Sequence, residues 1–230
     1  MNCKKCNSTC IKNGFQLNGV QRFLCTSCKL GQQQSYRYNA YKPKIDQLIV
    51  NLLVNSSGIR DISRILIISK NTVISKILAI AKTITKPYTF ETNQIYEVDE
   101  LCTTVAGKKC WISYGINRKT KQVINFFVGS RKAVNLNKII KSVLLLNPKR
   151  VYIDQLPWYK NLIPAVIHRT QKYQTNTIER HNLNLRTHLK RLSRKTICYS
   201  KNIKLLIACV KIYFWYNNSE KNKHCISLAL

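Results

Sequence analysis

The sequence predicts a multi-domain α+β protein, and three observations predict it. Paired cysteines crowd the first 28 residues, apolar residues then recur at helical spacing, and from Ile95 onward short β-rich runs alternate with helical ones. At 230 residues the chain has room for about one and a half average domains, and with 45% hydrophobic residues it can build a core. The expected modules are residues 1–42, 43–90 and 91–216, with a disordered tail at 217–230.

The first module is set by cysteine spacing. Cys3-x2-Cys6 and Cys25-x2-Cys28 are separated by 18 residues, within the range where two knuckles hold one tetrahedral zinc through four thiolates. Between them Asn18-Gly19 has the signature of a type I′ hairpin turn, flanked by Phe15, Leu17, Val20 and Phe23. A zinc ribbon with one structural Zn²⁺ on Cys3, Cys6, Cys25 and Cys28 follows. Bare thiols are the other reading, but so small a hairpin has no other core. Cys10 could replace Cys6, yet its spacing is less regular and it is read as a spectator. No apolar stretch follows Met1, so the ten cysteines are expected to stay reduced, in the cytoplasm or nucleoid.

In the second module Ile45, Leu48, Ile49, Leu52 and Leu53 mark a helix that stops near Ser56-Ser57-Gly58. Two shorter helices follow, Ile59 to Leu66 and one opened by Ser69 as N-cap. Packing Val73, Ile74, Ile77, Leu78 and Ala81 inward turns Lys70, Asn71, Ser75 and Lys76 outward. This is the layout of a helix-turn-helix, with phosphate contacts from Lys70 and Lys76 and a base-edge contact from Asn71. Unrelated helical hairpins share it, so the charge balance has to speak for DNA. Lys and Arg number 39 against 9 Asp and Glu, a net charge of +30. A surplus of that size calls for a polyanion such as double-stranded DNA, whereas an acidic small-molecule substrate would not require it. A membrane span needs about 20 apolar residues in a row. The longest candidate, Leu205 to Tyr216, is broken by Lys211, so no membrane partner is expected.

Pro87 closes the helical region. The third module then reads as strands at Ile95–Val98, Trp111–Ile116 and Val123–Val128, a helix at Asn135–Leu146 and a strand at Val151–Ile153. A turn or short helix at Pro157–Ile163, a strand at Ala165–Ile167 and two helices, Thr177–Leu192 and Ser200–Tyr216, complete it. The order βββαβαβα is that of an RNase H-like fold, in which the first and fourth strands lie side by side. Acids after Ile95 are scarce: Glu97, Asp99, Glu100, Asp154, Glu179 and Glu220. In that fold Asp99 at the end of the first strand meets Asp154 after the fourth, with Glu179 leaning in from a helix. Three carboxylates at one point repel one another unless divalent cations neutralise them. Two Mg²⁺ or Mn²⁺ ions per active site, about 3.5 to 4 Å apart, would run phosphodiester chemistry there. Singly, each acid also fits a blander role: Asp99 and Asp154 as solvated strand ends, Glu179 in a capping box with Asn176.

Arg186 lies seven residues from Glu179, about two helical turns, and so shares its face, where it could hold a phosphate or simply be solvated. His168, Arg169, Lys172, Arg180, His181, Lys190, Arg191, Arg194 and Lys195 surround the proposed site with positive potential, as a backbone-tracking groove needs. His181 has three readings open to it: the metal site, DNA, or neither.

These motifs together resemble transposases of the bacterial insertion sequence one family, a branch of the DDE transposases. The resemblance runs over nearly the whole chain: the cysteine knuckles with Gln21-Arg22-Phe23-Leu24-Cys25, the stretch Ile59 to Ala81, Val98-Asp99-Glu100 and Ile153-Asp154. Its strongest single match is Thr177-Ile178-Glu179-Arg180-His181-Asn182-Leu183-Asn184-Leu185-Arg186, followed by Ser193-Arg194-Lys195 and Tyr199-Ser200-Lys201. It implies that Asp99, Asp154 and Glu179 take the DDE roles. It implies also that the N-terminal half binds the terminal inverted repeats, and that the catalytic half cleaves the ends and joins them to target DNA as a homo-oligomer. The family usually has glycine after the second aspartate, where this chain has Gln155, and an aromatic residue soon after the first acidic pair, where it has Leu101-Cys102. The first departure motivates an alternative, a decayed transposase acting as a zinc-dependent DNA-binding repressor. A nuclease acting on hybrids or junctions is a third.

Overall fold

The computed structural model describes residues 1–34, 38–87, 90–154, 159, 161–170 and 175–227, with 217–227 as backbone only. Gln155, Lys172, three residues of the predicted turn (157, 158 and 160), and residues 228–230 of the tail lie outside them.

The cysteine module is a three-stranded antiparallel sheet of β1 (Cys10–Phe15), β2 (Gln21–Cys25) and β3 (Gly31–Gln33), with β2 central. The hairpin falls at Asn18-Gly19 as expected, but its turn differs. Gln16 N–H donates to Val20 O, enclosing a three-residue loop in which Gly19 alone has positive φ, at 75°. One left-handed residue after a tight turn is the geometry of a bulged hairpin, not of type I′, which needs two. The third strand carried no sequence signal, because Gly-Gln-Gln lacks β-branched residues.

Three helices follow, α1 (Ile45–Val54), α2 (Ile59–Leu66) and α3 (Lys70–Thr83). Gly58 N–H is capped by Asp61 Oδ2 at 2.9 Å. Ser69 Oγ accepts from Thr72 N–H at 3.0 Å, the N-cap expected for α3. Val73, Ile77 and Ala81 are buried and Lys70, Asn71 and Ser75 exposed. The Tyr38 hydroxyl, unforeseen in the sequence, accepts from Ser69 N–H at 2.7 Å and ties the preceding segment to the turn.

The larger sheet holds β4 (Ile95–Val105), β5 (Lys108–Asn117), β6 (Val123–Gly129), β7 (Arg150–Ile153) and β8 (His168–Arg169), in the order β6-β5-β4-β7-β8. β4, β5 and β6 are antiparallel neighbours; β7 and β8 join in parallel. The first two strands are several residues longer than expected. Ala106 and Gly107, at φ 48° and 80°, make a two-residue hairpin that pairs Val105 with Lys108. Two left-handed residues in an Ala-Gly pair give a weaker sequence signal than Asn-Gly. β8 begins three residues later than the strand expected at Ala165–Ile167, since Ile167 and His168 first turn back on Pro164 O.

α4 (Ala133–Leu144) covers one face, packing Leu136, Ile139, Ile140 and Val143 on Tyr96, Val98, Val151 and Ile153. Gly115 lets it approach: a Cβ there would meet Val143 Cγ2 at 2.9 Å. α5 (Asn176–His188) and α6 (Ile203–Ser227) cover the other face. The sequence pattern ends α6 at Tyr216, but the backbone stays helical to Ser227 because no Gly or Pro interrupts 217–227. One apolar core joins this face to the three-helix module, running from Ile49, Leu53 and Ile77 through Ile112 and Ile116 to Leu206 and Trp215. Among the described residues no helix is long and apolar enough to cross a membrane.

Candidate active site

β4 carries three acids within four residues, and strand alternation sends them apart. Glu97 and Asp99 face α5; Glu100 faces the opposite side, where Tyr159 donates to its Oε1 at 2.5 Å and Arg131 to its Oε2 at 3.0 Å. Arg131 also stacks on the Trp111 ring at 4.5 Å. Glu100 is thus a paired structural acid. Glu97 is fully buried; its Oε2 accepts from Ile178 N–H at 2.8 Å and its Oε1 meets Arg118 Nε at 3.0 Å. A carboxylate on that amide fixes the first turn of α5 against the sheet. Burial still pushes the Glu97 carboxyl above its ordinary range, against the pull of these donors.

Asp99 has a different setting. It lies within β4 and not at its end, as the sequence suggested. What ends there is the pairing with β7, whose last partners are Val98 and Ile153. The next residues in that parallel register are Asp99 and Asp154. Both follow Tyr152 and Glu97 in pointing toward α5, since Val98 and Ile153 belong to the opposite core. Burial, then the charges of Glu100 and Asp154, push the Asp99 carboxyl up to about 6, against hydrogen bonds from Glu100 N–H at 2.7 Å and Asn182 Nδ2 at 2.7 Å. A desolvated acid with a like-charged neighbour suits a cation.

Asn182, absent from the sequence expectations, is held in turn. The Tyr114 hydroxyl donates to its Oδ1 at 2.7 Å, and His181 Nδ1 lies 3.1 Å from that hydroxyl. His181 is half-buried in this hydrogen-bonded chain; burial, His188 and Lys121 hold it down to about 4, uncharged against Phe214. The signal for Asn182 was present: it is three residues past Glu179 and four before Arg186, on one helical face.

Glu179 is exposed in the first turn of α5 and accepts from Thr175 Oγ1 at 2.7 Å. Thr175, not Asn176, is the N-cap residue, so the expected capping box does not form. Asp99, Asp154 and Glu179 share one side of the sheet but do not gather as a metal cluster. Among the described residues the one group whose ligand atoms all lie within 4.8 Å is Cys3, Cys6, Cys25 and Cys28. There Cys3 Sγ and Cys28 Sγ are 3.6 Å apart and Cys6 Sγ and Cys25 Sγ 3.4 Å, a donor set that suits zinc. Cys10 stands outside it, accepting from Gln32 Nε2 at 2.8 Å. Hydrogen bonding from Ser8 lowers the Cys6 thiol to about 6; the Cys28 thiol, drawn down by Leu30 N–H, is raised to about 12 by burial and its cysteine neighbours.

Of the cations singled out in the sequence, Lys70, Arg180, Lys190, Arg194 and Lys195 are exposed, as is Asn71. Three depart from a simple contact role. Lys76 pairs with Asp46 of α1 at 2.6 Å, Arg169 donates to His168 O at 2.7 Å, and Arg191 is 9% exposed and donates to Ser200 Oγ at 3.2 Å. Arg186 is partly buried beside Arg194, on the face of Asn182.

A sheet with acids at a parallel strand junction, preceded by a helical DNA-binding layout, defines the class of DDE-type transposases. Family models agree: the model described as IS1 transposase matches residues 94–219, and that of the InsA C-terminal domain, a helix-turn-helix, matches residues 36–78. The chain belongs to the IS1 transposase family. It is 34% identical over 113 residues to the insertion element iso-IS1n protein InsB of Shigella dysenteriae, covering 48% of this chain and 86% of that one. It is 37% identical over 112 residues to the insertion element IS1 2 protein InsB of Escherichia coli K12, covering 46% of this chain and 65% of that one. A chain of the simian T-cell lymphotropic virus intasome in complex with PP2A regulatory subunit B56 gamma aligns at a TM-score of 0.39 and 14% identity, over 72% of this chain and 66% of that one, too distant to define the fold.

Proposed function

We propose that the chain is a DNA transposase whose RNase H-like domain cleaves the ends of its element and joins them to target DNA. The register that sets Asp99 beside Asp154 carries this reading. Asp99 and Asp154 would hold the divalent metals jointly, and Glu179 would complete one of them after leaving Thr175. Two Mg²⁺ or Mn²⁺ ions would supply an activated water or 3′-hydroxyl on one side of the phosphorus and a stabilised leaving oxygen on the other. The chain's own residues do the rest. Asn182, fixed by Tyr114, orients the Asp99 carboxylate. Arg186, one turn along α5, neutralises a substrate phosphate.

The zinc ribbon and the helix-turn-helix would bind the terminal inverted repeats, with Lys70 and Asn71 exposed on α3 for that purpose. Two ends brought together would require a homo-oligomer on DNA. The test is Mg²⁺-dependent nicking or strand transfer on a duplex carrying the element's end, repeated with Asp154→Ala. Undiminished activity in that variant overturns the assignment. A binding-only repressor is the second reading, motivated by Gln155 where related transposases usually have glycine. Specific end binding without Mg²⁺- or Mn²⁺-dependent cleavage would select it.

A further inference from the structure

Between β4, the end of α5 and the turn that follows it lies a cavity of about 340 Å³. Its wall contains Arg186, Arg191, Arg194 and Lys195, with Thr104 and Tyr199 among its polar groups, and no Asp or Glu lines it. None of the four cations has a carboxylate partner among the described salt bridges. Arg191 is nine-tenths buried with one nitrogen anchored by Ser200, and burial and Arg194 together disfavour the charge on Arg186. Cations crowded into a recess without an acid are costly unless an anion enters.

The recess also has a defined place relative to the carboxylates. The seam between β4 and α5 pairs Glu97 with Ile178, then Asp99 with Asn182; Cys102 and Arg186 lie further along it, at the cavity. Cys102 and Thr104 follow Asp99 by three and five residues, about 10 to 17 Å at about 3.3 Å per residue. That is about three to five nucleotides of one strand at about 3.4 Å of axis each. Resting on the reading above, we propose that this cavity anchors a single backbone phosphodiester of the bound DNA, three to five nucleotides from the scissile phosphate. Arg186, Arg191, Arg194 and Lys195 are its ligands, and the anchor fixes how far the strand is fed toward Asp99 and Asp154.

The experiment measures affinity of the full chain, zinc-loaded and without added Mg²⁺, for duplexes of the element's terminal sequence carrying one neutral methylphosphonate at successive positions. The wild type should lose about tenfold at one position three to five nucleotides from the cleavage point. Arg194→Ala, an exposed change, should lose about tenfold on the unmodified duplex, lower the salt slope by about 0.9, and show no further loss at that same position. Lys195→Ala should behave alike if Arg194→Ala folds poorly. Additive losses, or methylphosphonate effects spread evenly along the strand, would overturn the proposal. So would stabilisation by millimolar inorganic phosphate that needs Arg194 while no methylphosphonate matters, which would make free phosphate the ligand. Asp99→Asn separates the two readings: it should keep the methylphosphonate profile while losing cleavage. Cleavage retained in it would refute the catalytic assignment and leave the anchor to be judged on its own profile.

Discussion

The ribbon and the β4–α5 seam both collect groups that repel one another when ionised, yet they do so to different degrees. In the ribbon four sulfurs sit within 4.8 Å of one another, held by a hairpin and by short turns such as Asn7 N–H to Cys3 O at 3.0 Å. In the seam two aspartates are adjacent, and the third acid stays in water on a different element. The four cysteines of the first come from 26 consecutive residues with no other core to hold them; the three acids of the second come from separate parts of a well-packed domain. A site needed for folding must be closed before anything else binds, whereas one needed for turnover has to open and close around a substrate.

Four measurements would break or sharpen that contrast. The largest effect is expected from stripping the ribbon. Chelation or Cys25→Ser should unfold residues 1–34, since structural zinc contributes about 10 to 16 kcal/mol of apparent binding free energy to such small modules. Zinc stoichiometry and hydrogen exchange of that segment report it. Asp99→Asn should instead leave the melting temperature level or higher, because it removes a desolvated charge beside Asp154, while strand cleavage falls about a thousandfold or more. Equal destabilisation by both changes would erase the distinction. Glu97→Ala should cost about 3 to 5 kcal/mol in denaturant unfolding by stranding Arg118 and the start of α5. The smallest effect is Ser69→Ala, about 1 kcal/mol from the lost cap of α3, read in the same assay.

The legible parts of the molecule were those written in short-range code. The cysteine pairs, the Ser69 cap and the α1 periodicity each needed only neighbouring residues. The pairing of Asp99 with Asp154 could be reached because so few acids remain after Ile95 and because strand order constrains where two of them fall. What escaped was set by tertiary contact. Nothing local marks Tyr114 as the partner of Asn182, or Arg191 as buried, or Lys76 as drawn to Asp46. The Ala106-Gly107 turn escaped for another reason: alanine at positive φ is sterically disfavoured and is chosen only when a long paired hairpin compels it.

Helix α3 packs against α6, Ser56 N–H donates to His188 O at 2.8 Å, and one apolar core joins the three-helix module to the sheet face covered by α5 and α6. If α3 seats in a DNA groove as proposed, that shared core already decides the direction in which a strand runs past Asp99, and a truncation that discards α6 would bare the greasy flank of α3 to water. On that reading, recognition sets the angle of the cut.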